Sequence, residues 1–337
     1  MDFLNFKISF PFEKIIIDQA LVTSGHRGDY RIVAKSSGFS QSELDRIYEK
    51  SLPPTFFDPN IRFNDSIRVI NVSEDRIGIC YVTLAGRDEF NRFGRLRSHI
   101  LVLDKEIYDL IPDPLFFRDY FISKDVSGDL EKISIDKKIF FENVLKYYDE
   151  IIIPEINRVH EHIPEVIMIN VLSALIRRKK VVFYGGKAIN ITSISKKDKP
   201  NHSIDYLRKI IFVLPSMLKS NIEYSTYSTH YLSDSVDIVF TELLPSLTKE
   251  KEALIVDLEE NKLYNKVVDP VIKRYIKRLY SYIGKGWGTL FLSYSNGFIK
   301  NFVNLFKLGN DKKEISQHIR DLLELGQIAV NLLFGEE

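Results

Sequence analysis

At 337 residues the chain exceeds what one ordinary hydrophobic core fills, so two or three domains are expected. Apolar residues make up 45% and charged residues 28%, a profile that fits a folded globular protein and excludes a disordered one. Lys+Arg at 47 against Asp+Glu at 46 gives no whole-molecule field, so any electrostatic partner must be met by a local patch. The single cysteine, Cys80, excludes an internal disulfide framework and a metal centre of several thiolates.

The longest apolar run, Val166 to Ile176, is broken by Asn170 and Ser173 and is too short to span a bilayer. The opening MDFLNFKISF lacks the basic-then-apolar order of a secretory signal, and a cytoplasmic protein is expected. Three Met and one Cys, beside abundant Ile, Lys and Glu, point toward a thermophilic source.

In chain order, residues 1–135 form a β-rich α+β region. Arg31–Ala34, Ile67–Val72, Ile77–Leu84 and His99–Leu103 are short β-branched or bulky runs bounded by Gly, Asp, Asn or Pro. Ser73–Arg76 is a hairpin turn, and imperfect alternation implies that some strands are covered on both faces. A helix starts after Ser40, with Glu43 completing a capping box, and ends before Pro53-Pro54. Lys105 to Ile135 is expected to hold a short helix and a connector.

Residues 136–247 form an α/β region. Ile139–Tyr148 has helical spacing, and Pro164 opens a helix whose stripe is Ile167, Val171, Leu172, Leu175 and Ile176. That helix ends in Arg177–Lys180, where the macrodipole favours positive charge. A buried strand Val181–Tyr184, a helix Ser203–Leu214, and strands Asn221–Tyr227 and Val236–Phe240 then compose a βαβ unit. Residues 248–337 are read as helical. Asp269-Pro270 starts a helix interrupted by Gly284, Gly286 and Gly288, with further helices near 298–306 and 314–334. The fold class is therefore α+β and α/β multidomain with a helical C-terminal region.

The most informative stretch is Tyr81 to Asp104, two apolar strands around a turn carrying Arg87, Arg92, Arg95 and Arg97. With His99, these guanidinium groups suit a planar anion or an acidic surface. His99 also shares strand parity with Leu101 and Leu103, which favours an inward-facing structural histidine. Gly185-Gly186-Lys187 follows a buried strand where α/β folds bind ligands, but no Ser or Thr follows the lysine as a phosphate loop requires. Ser225 and Thr226 end the next strand and would face Gly185 across one crevice. His230 follows, yet no nucleophile elbow and no assignable acid complete a hydrolase triad. His160 and His162 lack the i, i+4 spacing of helical metal ligands, and Cys80 lies within an apolar strand. Lys273, Arg274, Lys277 and Arg278 share one helix face, with Lys285 and Trp287 beyond. That stripe suits nucleic-acid phosphate, an anionic membrane surface, an acidic partner, or solvent.

Several short motifs occur together: Gln19-Ala20-Leu21, Gly28…Tyr30–Gly38, Pro53-Pro54, Gly86-Arg87-Asp88, Gly94-Arg95 and His99–Val102. They are followed by a helix ending in Arg-Arg, a Val-Val strand, Leu214-Pro215 and Tyr224–Tyr227. In this pattern, over roughly residues 15–245, the chain resembles a prokaryotic GTPase-associated protein family. Its strand-helix-strand core is also similar, more distantly, to DENN-type modules, which engage small GTPases. The resemblance implies a glutamine-led first strand and membership of GTPase-containing assemblies. It implies neither GTP hydrolysis nor GTPase activation.

The preferred reading is a non-enzymatic adaptor binding a GTPase, with no cofactor and no metal. A nucleic-acid or anionic-membrane binder using residues 273–287 is the alternative, and a small-molecule enzyme at 185–230 the third.

Overall fold

A computed structural model describes residues 13–24, 30–53, 65–86, 95–122, 126–185, 202–214, 216–229, 231, 233–243 and 252–284. The strands among them are β1 (Lys14–Ser24), β2 (Tyr30–Lys35), β3 (Ser66–Asn71), β4 (Arg76–Leu84), β5 (Leu96–Asp104), β6 (Gly128–Asp129) and β7 (Ile133–Asp136). They continue with β8 (Val181–Tyr184), β9 (Tyr224–Ser225), β10 (Ile238–Thr241), β11 (Leu254–Asp257) and β12 (Lys262–Tyr264). The helices are α1 (Gln41–Lys50), α2 (Lys105–Leu110), α3 (Lys137–Tyr147), α4 (Ile153–Asn157) and α5 (Val159–His162). After them come α6 (Glu165–Ile176), α7 (His202–Val213), α8 (Ser216–Lys219) and α9 (Pro270–Gly284).

These strands join one mixed sheet in the order β12-β11-β8-β10-β9-β3-β4-β5-β1-β2-β6, with β7 on β1. One half, β11, β8, β10 and β9, is parallel, and the half from β3 to β2 is antiparallel. The halves meet at β9, which pairs parallel with β10 and antiparallel with β3 through Arg68↔Ser225 and Val69↔Tyr224. The sheet therefore runs without a break past residue 135.

Local chemistry explains the elements that the sequence made legible. Ser40 Oγ accepts the Glu43 amide at 3.3 Å while a Glu43 carboxylate oxygen accepts the Ser40 amide at 2.8 Å, closing the capping box of α1. Asp269 Oδ1 accepts the Val271 amide at 3.0 Å and so starts α9, with Pro270 in its first turn. The turn at Ser73 closes through the Val72 amide on the Arg76 carbonyl at 3.0 Å. Strand alternation divides the interior. Ile67, Val69, Ile79, Leu101, Phe183 and Phe240 face the large core with α2 to α9. Ile70, Cys80, Ile100 and Val102 face a second core closed by Ile47 of α1, and Val182, Val239 and Ile255 face a third. Both faces of the sheet are thus covered, as its unbroken apolar runs require.

Three expectations need correction. The segment read as helical from 248 holds β11 and β12 before α9 begins, and β11 pairs with β8 inside the sheet. A four-residue run such as Leu254–Asp257 has no period that separates a buried strand from a helix turn. The strand expected over 221–227 is only Tyr224–Ser225, because Ser225 Oγ donates to the Tyr227 carbonyl at 2.8 Å and turns the chain away. Finally, β8 and β9 are not neighbours, since β10 lies between them. The helices expected near 298–306 and 314–334 lie outside the described residues.

Candidate functional site

The β4–β5 pair continues to the end expected to bind a partner: the Ala85 amide donates to the Arg95 carbonyl at 2.8 Å, just past the Leu84↔Leu96 pair. Arg95 Nε donates to Thr23 Oγ1 at 3.1 Å, and Arg97 Nη2 donates to Thr83 Oγ1 at 3.3 Å. Arg97 sits on β5 directly opposite both Thr23 and Thr83, so three strands hold it in place. Both arginine side chains are half-buried at the rim of the sheet. Arg87 and Arg92 lie outside the described residues.

Two residues further along β5, His99 is only 1% exposed. Its Nδ1 accepts the Ile122 amide at 3.0 Å, which makes the ring's Nε2 the protonated nitrogen, donating to Gln19 Oε1 at 3.1 Å. The Gln19 amide nitrogen donates in turn to the Glu131 carbonyl at 2.6 Å. Phe121 packs edge-on against the imidazole, with ring centres 5.7 Å apart, and also packs against Tyr81, whose hydroxyl donates to Asp65 at 3.1 Å. His99 is therefore an internal strut, and it does not reach an anion at the surface.

Burial, and then the neighbouring Arg97 charge, push the His99 pKa down from 6.5 to about 4. A depressed folded-state pKa means the unfolded chain binds the proton first on acidification. The resulting stability is complete above pH 6.5 and is lost as pH falls through 4. It amounts to about 3 kcal/mol at most. Urea midpoints measured from pH 7 to pH 4 should fall less steeply for His99→Gln than for the unaltered chain; parallel curves would contradict this.

The second cluster does not assemble as expected. Gly185 has φ +133°, and a side chain there would meet Glu259 Cγ at 2.9 Å, so glycine is required. Gly186, Lys187 and His230 lie outside the described residues. Thr226 Oγ1 accepts the Ile67 amide at 2.9 Å and the Thr226 amide donates to the Ile67 carbonyl at 2.9 Å. Ser225 and Thr226 are buried, and their hydroxyls stitch β9 to β3 and shape the turn after it. With β10 interposed, they do not face Gly185 across a shared crevice.

No protein-family model matches the chain, and no curated protein matches it.

The basic face of α9 does form as expected. Ile272, Tyr275, Ile276, Leu279, Tyr282 and Ile283 are buried, while Lys273, Arg274 and Lys277 are exposed and Arg278 is half-exposed. Lys285 and Trp287 lie outside the described residues. Cys80 is fully buried, and burial pushes its thiol up to about 12, which makes it an inert core residue. Among the described residues no cluster of His, Cys, Asp and Glu is placed to hold a metal, and no helix is long and apolar enough to cross a membrane.

Sequence reasoning missed the polar cluster at the seam of the two half-sheets. Arg68, 1% exposed, donates from Nη1 and Nη2 to both Asp234 carboxylate oxygens at 2.8 Å and from Nε to the Lys50 carbonyl at 3.0 Å. Lys50 meets Glu223 at 2.5 Å, Glu223 accepts the Asn71 amide at 2.8 Å, and Lys180 donates to the Tyr231 and Asp234 carbonyls. The available signal was a lone arginine inside the apolar strand Ile67–Ile70. These groups bind one another, so the cluster is structural.

Proposed function

We propose that the chain is a non-enzymatic adaptor or regulatory protein that binds a protein partner, with a GTPase or GTPase-containing assembly as the first candidate. Docking takes place at the arginine-bearing end of β4 and β5, where Arg95 and Arg97 are held by Thr23 and Thr83, and the sequence between the two strands adds Arg87 and Arg92. Loops carried by a rigid scaffold are a common place for recognition, and guanidinium groups suit the carboxylates of an acidic switch surface.

The supporting observation is the position of His99. The histidine beside Arg97 is sealed from solvent, with both ring nitrogens engaged. That imidazole serves the packing of the strands, and the arginines beside it supply charge for recognition. The motifs shared with the GTPase-associated family supply the identity of the candidate partner, and a cytoplasmic location fits the same reading.

The test is affinity purification of the tagged chain from its native source, quantified by mass spectrometry. A GTPase should be recovered near one-to-one and should be lost from the Arg87→Glu/Arg92→Glu chain. Recovery of no GTPase, or equal recovery with both chains, counts against the proposal.

A further inference from the structure

The helix α9 carries no acidic residue, and among the described residues none of its four cations lies within ion-pair distance of a carboxylate. Several cations held in the interior are paired: Arg68, Arg76, Arg208 and Lys209 each hold a carboxylate at 2.9 Å or closer. On α9, four cations stand together on the outward face with no carboxylate among them.

Its neighbours extend that charge. The Asp269 amide donates to Ser173 Oγ at 2.9 Å near the start of α9, while Tyr280 OH donates to the Ile163 carbonyl at 2.8 Å near its end. So α9 lies antiparallel to α6, and the basic end of α6 abuts the start of α9. There Arg177 Nη2 donates to the Val268 carbonyl at 3.3 Å and lies 3.8 Å from Asp269. Arg177, Arg178 and Lys266 are exposed beside that junction. Asp269 itself is 9% exposed and caps α9, so it offers little negative charge outward. The positive strip fades toward Tyr280, where Glu165 approaches.

We propose that the α9 face, continued by the end of α6, docks the phosphate backbone of a nucleic-acid duplex without reading its sequence. Three observations select this occupant. An interfacial membrane helix must sink its apolar face into lipid, but here those side chains are at most 6% exposed and locked in the core. Protein interfaces are built around apolar and aromatic anchors and are poor in lysine, whereas Lys273, Arg274 and Lys277 dominate this face. A phosphodiester strand, by contrast, asks mainly for closely spaced cations. At about 1.5 Å per residue, the helix runs for roughly 22 Å. Its cations occupy Lys273 to Arg278, about 8 Å, which matches two or three phosphates at about 3.4 Å each along one strand, and Arg177, Arg178 and Lys266 add to them at the start of the helix. This surface is separate from the end of β4 and β5, so either proposal can fail without the other.

The experiment is fluorescence anisotropy of a labelled 20-base-pair DNA duplex with the full chain, from about 50 to 200 mM salt. With about four phosphates neutralised, binding should weaken roughly a hundredfold across that range. Lys273→Glu/Arg274→Glu/Lys277→Glu should weaken binding at least tenfold at the lower salt, with an unchanged melting curve. If that chain melts early, Lys273→Gln/Lys277→Gln replaces it, and a loss of several-fold is expected. No binding at about 50 mM salt with protein up to about 100 μM overturns the proposal, since non-specific dissociation constants reach 10⁻⁴ M even at physiological salt. So does equal binding by the altered chains. Binding to vesicles rich in phosphatidylserine without binding to the duplex also overturns it.

Discussion

Arg68→Met should destabilise the fold by about 3–5 kcal/mol, the cost of leaving a buried charge without its partner. Asp234 is 2% exposed, and both its carboxylate oxygens accept from the Arg68 guanidinium at 2.8 Å. Burial alone would raise the Asp234 pKa, but the Arg68 charge and hydrogen bonds outweigh it and hold the carboxyl below 3.8. The pair's contribution is therefore present above that pH and is lost as pH falls through the folded-state value. Methionine fills much of the arginine's volume, so the loss isolates the unpaired carboxylate better than alanine would. The double change Arg68→Met/Asp234→Leu should recover most of the stability, because a buried pair replaced by apolar groups is often neutral. Urea unfolding at pH 7 measures both. A loss below about 1 kcal/mol for Arg68→Met would contradict the account of the seam.

The second large effect belongs to the centre of the parallel half. Phe240 on β10 is fully buried, and its ring stacks on Phe183 of β8 with centres 4.7 Å apart and planes 16° from parallel. Phe183 in turn packs edge-on against Tyr206 of α7 at 5.4 Å. Phe240→Ala should cost about 3–5 kcal/mol, combining lost burial with the cavity left between sheet and helix. Phe240→Leu should cost less, since it keeps most of the volume. With total stabilities near 5–15 kcal/mol, the alanine chain stands close to unfolding at ordinary temperature. A melting temperature unchanged by Phe240→Ala would show that the two rings do not share one core.

What could be read from the sequence follows the range of the interactions involved. The start of α1 was legible because Ser40 and Glu43 satisfy each other three residues apart. The inward and outward faces of α9 were legible because helical spacing alone separates Ile272 and Ile276 from Lys273 and Lys277. The inward orientation of His99 followed from its parity with Leu101 and Leu103. Its partners did not, since Gln19 lies 80 residues away and the Ile122 amide belongs to a segment without periodicity. The join between the half-sheets was likewise hidden. It depends on Thr226 meeting Ile67, 159 residues apart, and on β10 entering between β8 and β9. Of the arginine turn, only the flanking strands and the side chains of Arg95 and Arg97 are among the described residues, and the threonines that hold them, Thr23 and Thr83, come from neighbouring strands that no local pattern pairs with them.

A neutral His99 stands at the root of the arginine-bearing strands. Nitrogen-15 NMR of histidine-labelled protein across pH 3.5 to 8 measures it directly. The prediction is a ring protonated on Nε2, uncharged at pH 7, and titrating near pH 4. A ring that titrates at 6.5 or above would mean a solvent-open, charge-competent histidine beside Arg97, and would contradict the docking account.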